Sequence, residues 1–387
     1  MKRRVLFVTA TRADFGKLKP LMQAVERSEN FECLIFVTGM HMMSRYGLTV
    51  DEIYKERFTN ILSYMNQIHG EPMEMVLANT IHGLSRYLHE CPADMIVVHG
   101  DRVEALAGAI VGAMRNTLVA HIEGGELSGT VDELIRHSVS KLSHLHFVAN
   151  EKAAERLRQL GESSDQVFVI GSPDIDVMLS NNLPSLAQVK EYYQIAFDRY
   201  ALVLLHSVTT EPAGQQERAQ QFVTALLESN LDFVVIYPNN DPGSDLILEQ
   251  YQRVENNPRF RVFPSLRFEY FLTLMKHAAF VIGNSSAGVR EAPVYGVPSI
   301  NVGNRQHNRF CHDSIIESGF EHSALLSAIQ RAIQMPRMEP CHHFGAGDSA
   351  ACFIEVMQKE TTWTTPTQKQ FNDFDPASMK ERCGNES

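Results

Sequence analysis

Short apolar segments alternate with longer helical segments along almost the whole chain. Val5–Thr9, Met95–His99 and Leu118–Ile122 are apolar nearly without interruption, and Val103–Met114, between two of them, has the length of a helix. Continuous apolar strands are typical of a parallel sheet that is buried on both faces. The alternation therefore predicts an α/β protein built from βαβ units, with helices on both sides of a doubly wound sheet.

The alternation is interrupted once, and the interruption divides the chain of 387 residues into two parts. The first series ends near Gly171, a polar stretch follows, and a second series of strands begins near Tyr200. We predict a Rossmann-like domain over residues 1–175, a second one over residues 176–365, and a C-terminal segment, 366–387, that packs back on the first domain and frays at its end. Two such domains face each other across a cleft, and ligands bind at the carboxyl ends of the strands.

Charge and cysteine content disfavour several classes of protein. The formal net charge of -11 argues against a reader of nucleic-acid phosphates. Six cysteines are scattered without a CxxC pair, as expected for reduced thiols in the cytoplasm. His137, His144 and His146 match no standard zinc spacing, so no metal site is predicted. The N-terminus leads directly into the first strand pattern, and no segment reaches the roughly 20 apolar residues that span a bilayer. We expect a cytoplasmic protein without nucleic-acid or membrane partners.

Two motifs in the first domain follow predicted strands and contain charged residues. Arg12 and Lys17, after the first strand, either contact phosphate oxygens near a helix N-terminus or lie solvated on a surface turn. The run His99-Gly-Asp-Arg places Asp101 after another strand, either as a helix N-cap or as an acid or base, with Arg102 beside it to hold an anion. No GxGxxG fingerprint is present, which disfavours an NAD enzyme.

A third motif follows the next strand and adds two carboxylates. Glu133 is expected to form a helix-capping box with Thr130, whereas Asp132 in the same turn can point into the cleft. Glu123 follows its strand directly and has no evident structural duty. Asp101, Glu123 and Asp132 therefore form a candidate general acid-base cluster, because mutual repulsion and burial separate the pKa values of neighbouring carboxyl groups.

The second domain offers a candidate phosphate site. A Gly-Asn-Ser-Ser run follows a predicted strand and begins a helix, so that backbone N–H groups and the hydroxyls of Ser285 and Ser286 can cradle a phosphate. Ordinary serine capping explains the same residues. Glu291, further along, can accept hydrogen bonds from ribose hydroxyls. His206 and Arg305 also follow strands and are either cleft residues or local loop contacts.

Taken together and in this order, the motifs resemble those of the hydrolysing UDP-N-acetylglucosamine 2-epimerases of bacterial sialic-acid synthesis, which form N-acetylmannosamine. The likeness covers roughly residues 1–350. Two positions depart from it: Ala10 stands where many relatives have Gly, and Gly16 where the animal enzymes have Ser. The runs that carry the likeness are Thr11-Arg-Ala-Asp-Phe-Gly-Lys-Leu, His99-Gly-Asp-Arg, His121-Ile-Glu-Gly-Gly-Glu-Leu-Ser-Gly-Thr, Gly283-Asn-Ser-Ser-Ala-Gly and Arg305-Gln.

The resemblance implies two domains of the glycosyltransferase-B kind, with UDP held mainly by the second. It implies that the acid-base carboxylates are Asp101, Glu123 and Asp132. It implies contacts with the UDP-sugar at Arg12, Lys17, His41, Arg102, His121, His206, Asn239, Leu266, Ser285, Ser286, Glu291 and Arg305.

The implied reaction converts UDP-N-acetylglucosamine and water to N-acetylmannosamine and UDP. It proceeds by elimination to 2-acetamidoglucal and rehydration, needs no cofactor, and feeds sialic-acid synthesis. Three alternatives remain open: the same reaction on UDP-N,N′-diacetylbacillosamine, a non-hydrolysing epimerase, and a UDP-dependent glycosyltransferase. The family also implies a homodimer or a dimer of dimers.

Overall fold

The computed structural model describes residues 2–128 and 131–372 and places them in two parallel sheets flanked by helices. Within these residues the first sheet has seven strands: β1 (Arg3–Thr9), β2 (Phe31–Val37), β3 (Asn60–Ser63), β4 (Met95–His99), β5 (Leu118–Ile122), β6 (Leu145–Val148) and β7 (Val167–Val169). Their order across the sheet is β3-β2-β1-β4-β5-β6-β7. The accompanying helices are α1 (Arg12–Arg27), α2 (Val50–Lys55), α3 (Met73–Glu90), α4 (Val103–Met114), α5 (Val131–Leu142), α6 (Glu151–Gln159) and α7 (Pro173–Leu179).

The second sheet repeats this design in the described residues with six strands: β8 (Ala201–Leu204), β9 (Phe233–Ile236), β10 (Phe260–Phe263), β11 (Val281–Gly283), β12 (Ser299–Val302) and β13 (Ile315–Ser318). Their order is β10-β9-β8-β11-β12-β13. The remaining helices are α8 (Leu186–Tyr193), α9 (Gln215–Glu228), α10 (Ser244–Tyr251), α11 (Phe268–His277), α12 (Ser286–Arg290), α13 (His322–Gln334), α14 (Ser349–Gln358) and α15 (Glu360–Trp363). The predicted α/β class with two doubly wound sheets is confirmed.

Strand β1 illustrates why these segments form a buried sheet. Val5 and Phe7 belong to the apolar core on one face of the sheet, and Leu6 and Val8 belong to the core on the other face. Successive side chains in a strand point to opposite faces, so a strand covered on both sides must be apolar throughout. The same requirement explains the continuous apolar runs from which the strands are predicted.

Both sheets reverse their strand order at one point, and this point sets the position of the cleft. In the first sheet β1 lies between β2 and β4, and in the second sheet β8 lies between β9 and β11. The connections that leave β1 and β4 run to opposite faces of the sheet, which opens a crevice at their carboxyl ends. The loops after β1, β4, β8 and β11 therefore meet in the cleft.

Two of the four edge strands of the described sheets, β3 and β13, are absent from the sequence-based prediction. β3 has the sequence Asn-Ile-Leu-Ser, and all four of its residues are only partly buried. An edge strand has one paired neighbour and more contact with solvent, so it lacks the continuous apolar run of a central strand. Within the described ranges, no helix combines the length and the apolar character needed to cross a membrane.

The last helices of the chain pack on the first sheet rather than on the second. Phe353 and Met357 are fully buried in the core that also contains β1, and the ring of Trp363 stacks on Phe31 with centroids 5.7 Å apart. Residues 349–363 fall inside the predicted second domain, but their apolar side chains find their partners on the first. The domain limits at residues 175 and 365 stay a prediction.

The segment that follows, up to residue 372, is tied to α5. The Lys369 ammonium donates hydrogen bonds to the carbonyl oxygens of Lys141 (3.0 Å) and Ser143 (2.6 Å), at the C-terminal end of that helix, and to the buried carboxylate of Glu162 (2.5 Å). A cation at a helix C-terminus satisfies carbonyl groups that have no partner within the helix. Residues 373–387 of the predicted C-terminal segment lie outside the described residues.

We expect Lys369→Met to lower the free energy of unfolding by about 2–3 kcal/mol, because it removes a charged partner from buried Glu162. Urea unfolding followed by circular dichroism measures the change. Gln370→Met, at the exposed neighbouring position, serves as the control and should differ little from the wild type. Equal stability of the two variants would mean that the segment contributes nothing through Lys369.

Candidate active site

A cavity of about 300 Å³ lies where the carboxyl ends of the two sheets face each other. Its wall includes the loops after β1, β4 and β5 on one side and the loops after β8, β9, β10, β11 and β12 on the other. All the predicted site residues line this cavity except His41 and His121. The strand-end loops thus bring together residues that are far apart in the sequence.

The turn after β1 is fixed by a capping box at the start of α1. The Thr11 hydroxyl accepts a hydrogen bond from the Asp14 backbone N–H, and the Asp14 carboxylate accepts one from the Thr11 N–H. Arg12, in the same turn, donates to Glu52 (2.8 Å) and to the hydroxyl of Ser265 (2.8 Å) in the loop after β10. Arg12 therefore connects the two walls of the cavity.

The departure at Gly16 has a packing reason. Gly16 lies in α1 directly against Phe268, the first residue of α11, and a Cβ at position 16 would collide with the Phe268 ring. The absence of a side chain lets the first helix of one sheet approach a helix of the other. This contact lies beside the cavity, which Phe268 also lines.

His41 does not line the cavity, which argues against the direct substrate contact that the resemblance implies. Its side chain is fully buried, with Nδ1 2.6 Å from the Thr49 hydroxyl and Nε2 3.2 Å from the Thr9 hydroxyl. Thr9 in turn donates to Asp14 (2.5 Å), the acidic member of the capping box. His41 thus supports the turn after β1 from behind.

His121 also lies behind the cavity and not on its wall. Its Nε2 donates to the carbonyl oxygen of Gly100 (2.9 Å), so Nδ1 must be the unprotonated nitrogen that accepts from the Ser140 hydroxyl (3.0 Å). Burial lowers the pKa of His121 to about 3, which keeps the ring neutral at pH 7. The ring holds the loop that carries Asp101, the residue after Gly100.

Asp101 lines the cavity and is surrounded by arginines. Its carboxylate accepts a short hydrogen bond from Arg136, a residue of α5 that is almost completely buried. Burial by itself raises the pKa of Asp101, but the guanidinium groups of Arg136, Arg309 and Arg305 outweigh it and lower the pKa to about 2. Asp101 is therefore a carboxylate at neutral pH.

Glu123 directly follows β5 and adopts a left-handed backbone conformation with φ of +63°. Such a conformation costs on the order of 1 kcal/mol for a residue other than glycine, and it persists where surrounding contacts enforce it. The Glu123 N–H donates to the Phe147 carbonyl (2.9 Å), and its carboxylate accepts two hydrogen bonds from Arg290 (2.7 Å each). Burial raises the pKa of Glu123, but Arg290 and Lys17 outweigh it, and the net pKa is well below the ordinary value.

Asp132, in the first turn of α5, also lines the cavity. Its carboxylate lies 3.2 Å from the Arg305 guanidinium, which extends from the loop after β12. Glu133 beside it accepts a hydrogen bond from the backbone N–H of Ser128 (2.8 Å) and so has a structural duty near the helix start. Thr130, the other half of the predicted capping box, lies outside the described residues.

Lys17 does not stand open in the cavity as a simple phosphate ligand. Its ammonium lies 2.8 Å from Glu291 and 3.0 Å from Asp174 in α7. Burial by itself lowers the pKa of Lys17, but Asp174 and Glu291 outweigh it and raise that pKa. Burial together with Asp174 raises the pKa of Glu291, which is the predicted partner of the ribose.

The second sheet contributes the opposite wall. Ser285 caps α12 by accepting a hydrogen bond from the Ala287 N–H, and both Ser285 and Ser286 line the cavity. At Gly283 (φ +143°) a Cβ would collide with the Leu204 carbonyl, so glycine is required where β11 ends beside β8. This close approach sets the start of α12 directly at the cavity.

His206 follows β8 and is neutral. Its Nδ1 accepts a hydrogen bond from the Asn239 N–H (3.1 Å), so the proton is on Nε2. Burial lowers the pKa of His206 well below its ordinary value. The side chain of Asn284 bonds to both backbone groups of His206 and joins the ends of the two central strands.

Several charged residues of the site are not among the predicted ones. Arg136, Arg290, Arg309, Glu126 and Asp174 are all buried or nearly so and pair with one another or with predicted residues. The only sequence signal for Arg136, Arg290, Arg309 and Glu126 is position, because each lies a few residues after a predicted site residue, and Asp174 lacks even that signal. In the described part of the chain, no three His, Cys, Asp or Glu side chains are arranged to hold a metal ion.

Comparisons with known proteins agree with this geometry. The sequence model of the UDP-N-acetylglucosamine 2-epimerase family matches residues 23–358. A UDP-N-acetylglucosamine 2-epimerase of Neisseria meningitidis serogroup B is 50% identical over 96% of this chain and 99% of its own length. A hydrolysing UDP-N,N′-diacetylbacillosamine 2-epimerase of Legionella pneumophila is 32% identical over 92% of this chain and 96% of its own length.

A solved structure shares the fold. The UDP-GlcNAc 2-epimerase of Methanocaldococcus jannaschii, in complex with UDP-GlcNAc and UDP, superposes with a TM-score of 0.78. It is 22% identical, and the match covers 92% of this chain and 99% of that one. At this identity the likeness concerns the arrangement of the two sheets.

The buried neutral His121 predicts a pH-dependent difference in stability. Its pKa is about 3 in the folded protein and about 6.5 in the unfolded chain, so the unfolded chain binds more protons as pH falls below 6.5. Wild-type stability should therefore lose about 2 kcal/mol through this residue between pH 7 and pH 5. His121→Gln does not show this loss. The difference in free energy of unfolding between the wild type and the variant should therefore be smaller at pH 5 than at pH 7 by about the same amount. Urea unfolding at the two pH values measures it, and a constant deficit would contradict a buried neutral histidine.

Proposed function

The chain belongs to the UDP-N-acetylglucosamine 2-epimerase family, and on that premise we propose that it hydrolyses UDP-N-acetylglucosamine with inversion at C2. The products are N-acetylmannosamine and UDP, and we place this step in sialic-acid synthesis. The observation that carries the proposal is that three carboxylates from one sheet line the same cavity as the cationic and helix-terminal groups of the other: Asp101, Glu123 and Asp132.

The UDP portion binds to the second sheet in this proposal. The N-terminal end of α12 offers backbone N–H groups and the hydroxyls of Ser285 and Ser286 to the diphosphate. Arg305 and Arg102, on opposite walls of the cavity, supply positive charge to the same group. Asn239 and the backbone at Leu266 line the part assigned to the nucleoside. Stabilising the developing charge on UDP makes it a better leaving group.

The reaction then runs in two balanced steps. A carboxylate removes the C2 proton while the bond between C1 and the UDP oxygen breaks, which gives UDP and 2-acetamidoglucal. Water next adds its oxygen to C1 while a carboxylic acid delivers a proton to C2 from the opposite face. The proton that the water loses restores the acid, and the base releases the C2 proton to solvent. No carbon is oxidised or reduced overall, so no redox cofactor takes part.

The three carboxylates suit different parts of this sequence. Asp101 stays ionised beside its arginines, and we assign it to the elimination. Glu123 and Asp132 share the proton transfers in our proposal. Both are held by a guanidinium group of the second sheet, from Arg290 and Arg305 respectively. Bringing the sheets together thus orients both groups at once.

N-Acetylglucosamine is favoured over the diacetylated sugar by the order of the similarities. The relative that acts on UDP-N-acetylglucosamine is 50% identical to this chain, whereas the relative that acts on UDP-N,N′-diacetylbacillosamine is 32% identical. Both relatives match over more than nine tenths of this chain. The difference in identity supports the smaller sugar as the substrate.

We also propose that the enzyme works in the cytoplasm as a homodimer or a dimer of dimers. The cysteines of the described residues are unpaired thiols, which fits a reducing compartment: Cys33, Cys91, Cys311, Cys341 and Cys352. The oligomeric state follows from the resemblance to the family. Sedimentation velocity of the purified protein tests it, and a purely monomeric species would overturn it.

The reaction itself is tested by incubating the enzyme with UDP-N-acetylglucosamine in D2O. We expect UDP and free N-acetylmannosamine that carries deuterium at C2, because solvent supplies the second proton. NMR identifies both products. UDP-N,N′-diacetylbacillosamine, assayed in parallel, should react more slowly. Formation of UDP-N-acetylmannosamine would indicate the non-hydrolysing reaction, and release of UDP only with an added acceptor would indicate a glycosyltransferase.

Asp101→Asn should bind UDP within about threefold of the wild type and lower kcat by roughly 10²–10⁴-fold, the range for loss of a general acid-base group. UDP affinity is measured by calorimetry and turnover by UDP release. Asp165→Asn, at an exposed position outside the cavity, is the matched control. Near-normal turnover of Asp101→Asn would remove Asp101 from the mechanism.

A further inference from the structure

Arg290 is almost completely buried, and both terminal nitrogens of its guanidinium make hydrogen bonds. Its guanidinium donates to both oxygens of Glu123 (2.7 Å each), to Glu126 (2.9 Å) and to the Ser172 hydroxyl (2.7 Å). It also stands 4.9 Å from the centre of the Phe344 ring. Two parallel bonds to one carboxylate fix its rotation as well as its position.

The partners of Arg290 belong to the other sheet. Glu123 and Glu126 lie in the loop after β5, whereas Arg290 is the last residue of α12. The other end of this short helix, at Ser286, lines the cavity where the diphosphate is placed. Only about 6 Å of helix separates the two ends. One short helix thus carries the proposed nucleotide contact at one end and the hydrogen-bonding partner of Glu123 at the other.

Stability does not by itself require this arrangement. A buried ion pair between two segments is often no more stabilising than apolar side chains of the same volume. The loop beyond Glu123 also has a second cation, because Arg309 donates to Glu126 (2.8 Å) without help from Arg290. What Arg290 adds is a pair of hydrogen bonds to the carboxylate of Glu123, a residue whose backbone is in the left-handed conformation.

We propose that Arg290 is a positioning residue for the proposed reaction, which orients the Glu123 carboxylate from the second sheet. The inference rests on the proposed function. It assigns to Arg290 no contact with the substrate. In this inference the orientation of the Glu123 carboxylate depends on α12, the helix whose N-terminal end is proposed to bind the diphosphate.

The charged groups around Glu123 determine the direction of the pH effect. Arg290 on α12, Lys17 on α1 and His99 at the end of β4 favour its ionised form. Asp174 on α7 opposes that form, as do the neighbouring carboxylates Glu126 and Glu291 through their like charge. Loss of Arg290 leaves burial and like charges less opposed, so the pKa of Glu123 must rise.

The test compares Arg290→Gln and Arg290→Lys with Lys19→Gln. Lys19 is the matched control because it also joins the two sides of the molecule, through Glu56 (2.5 Å) and Glu269 (2.7 Å), but lies outside the cavity. We expect Arg290→Gln to lower kcat about 100-fold, the scale of a misplaced catalytic group. The kcat of Arg290→Lys should lie between those of Arg290→Gln and the wild type, since lysine keeps the positive charge but cannot make two parallel hydrogen bonds to one carboxylate. The kcat of Lys19→Gln should stay within about threefold of the wild-type value.

The pH profile separates positioning from general structural damage. Because Glu123 is held ionised in the wild type, it acts as the base in this inference. In Arg290→Gln the acid limb of kcat/KM should therefore move to higher pH, because more of Glu123 is protonated at a given pH. UDP affinity should stay within about threefold of the wild type. A kcat within threefold of the wild type, or a lower kcat with an unchanged pH profile, would overturn the inference.

Amide hydrogen exchange provides a readout that does not depend on turnover. Residues 123–128 should exchange faster in Arg290→Gln than in the wild type or Lys19→Gln, because the loop loses its anchor. If the wild type releases no UDP, the proposed reaction fails while faster exchange still supports the hold on this loop. Unchanged exchange in Arg290→Gln would overturn the role of Arg290 whatever the reaction proves to be.

Discussion

This structure depends on buried charged side chains that pair with each other across the cleft between the two sheets. Lys17, Arg290 and Arg309 lie where water is largely excluded, and each reaches a carboxylate within 3 Å. An unpaired charge in such a place costs several kcal/mol, so Arg290 and Arg309 of the second sheet are buried only with the help of carboxylates from the first. The Arg290 pair also lowers the pKa of Glu123, one of the residues assigned to catalysis. Contacts that join the two sheets therefore also set part of the electrostatics of the cavity.

The topology of the two sheets explains why this network forms where it does. Parallel strands end at one edge, and at the reversal of strand order the connecting segments diverge and leave a crevice. Arg12 and Asp101 follow the two central strands of the first sheet, and His206 and Ser285 follow those of the second. Buried histidines and a capping box support these loops from behind. The buried apolar strands form a rigid support, and the loops at their ends carry the residues assigned to binding and catalysis.

The sequence predicts the strands and the location of the site better than it predicts the pairing of charges. A strand buried on both faces must be apolar, so the central strands are readable, whereas the half-exposed β3 lacks that pattern. Strand-end position likewise predicts cavity residues such as Asp101 and Ser285. Arg290 and Arg309 bond to Glu126 across separations of 164 and 183 residues, and no local pattern reveals such partners. His41 and His121 match the family by identity, but their burial behind the loops appears only in three dimensions.

The placement of α14 and α15 has a consequence for biosynthesis. Phe353 and Met357 complete the core around β1, and Arg3 in that strand pairs with Glu360. The first sheet therefore cannot complete its core until the ribosome has released the chain as far as residue 357. Until then its exposed apolar face must be shielded, either by collapse on itself or by a chaperone. Contacts between such distant parts of a chain also slow folding, because a long loop must be closed before they form. Strand β1 thus gains its full set of core contacts only after α14 has been synthesised.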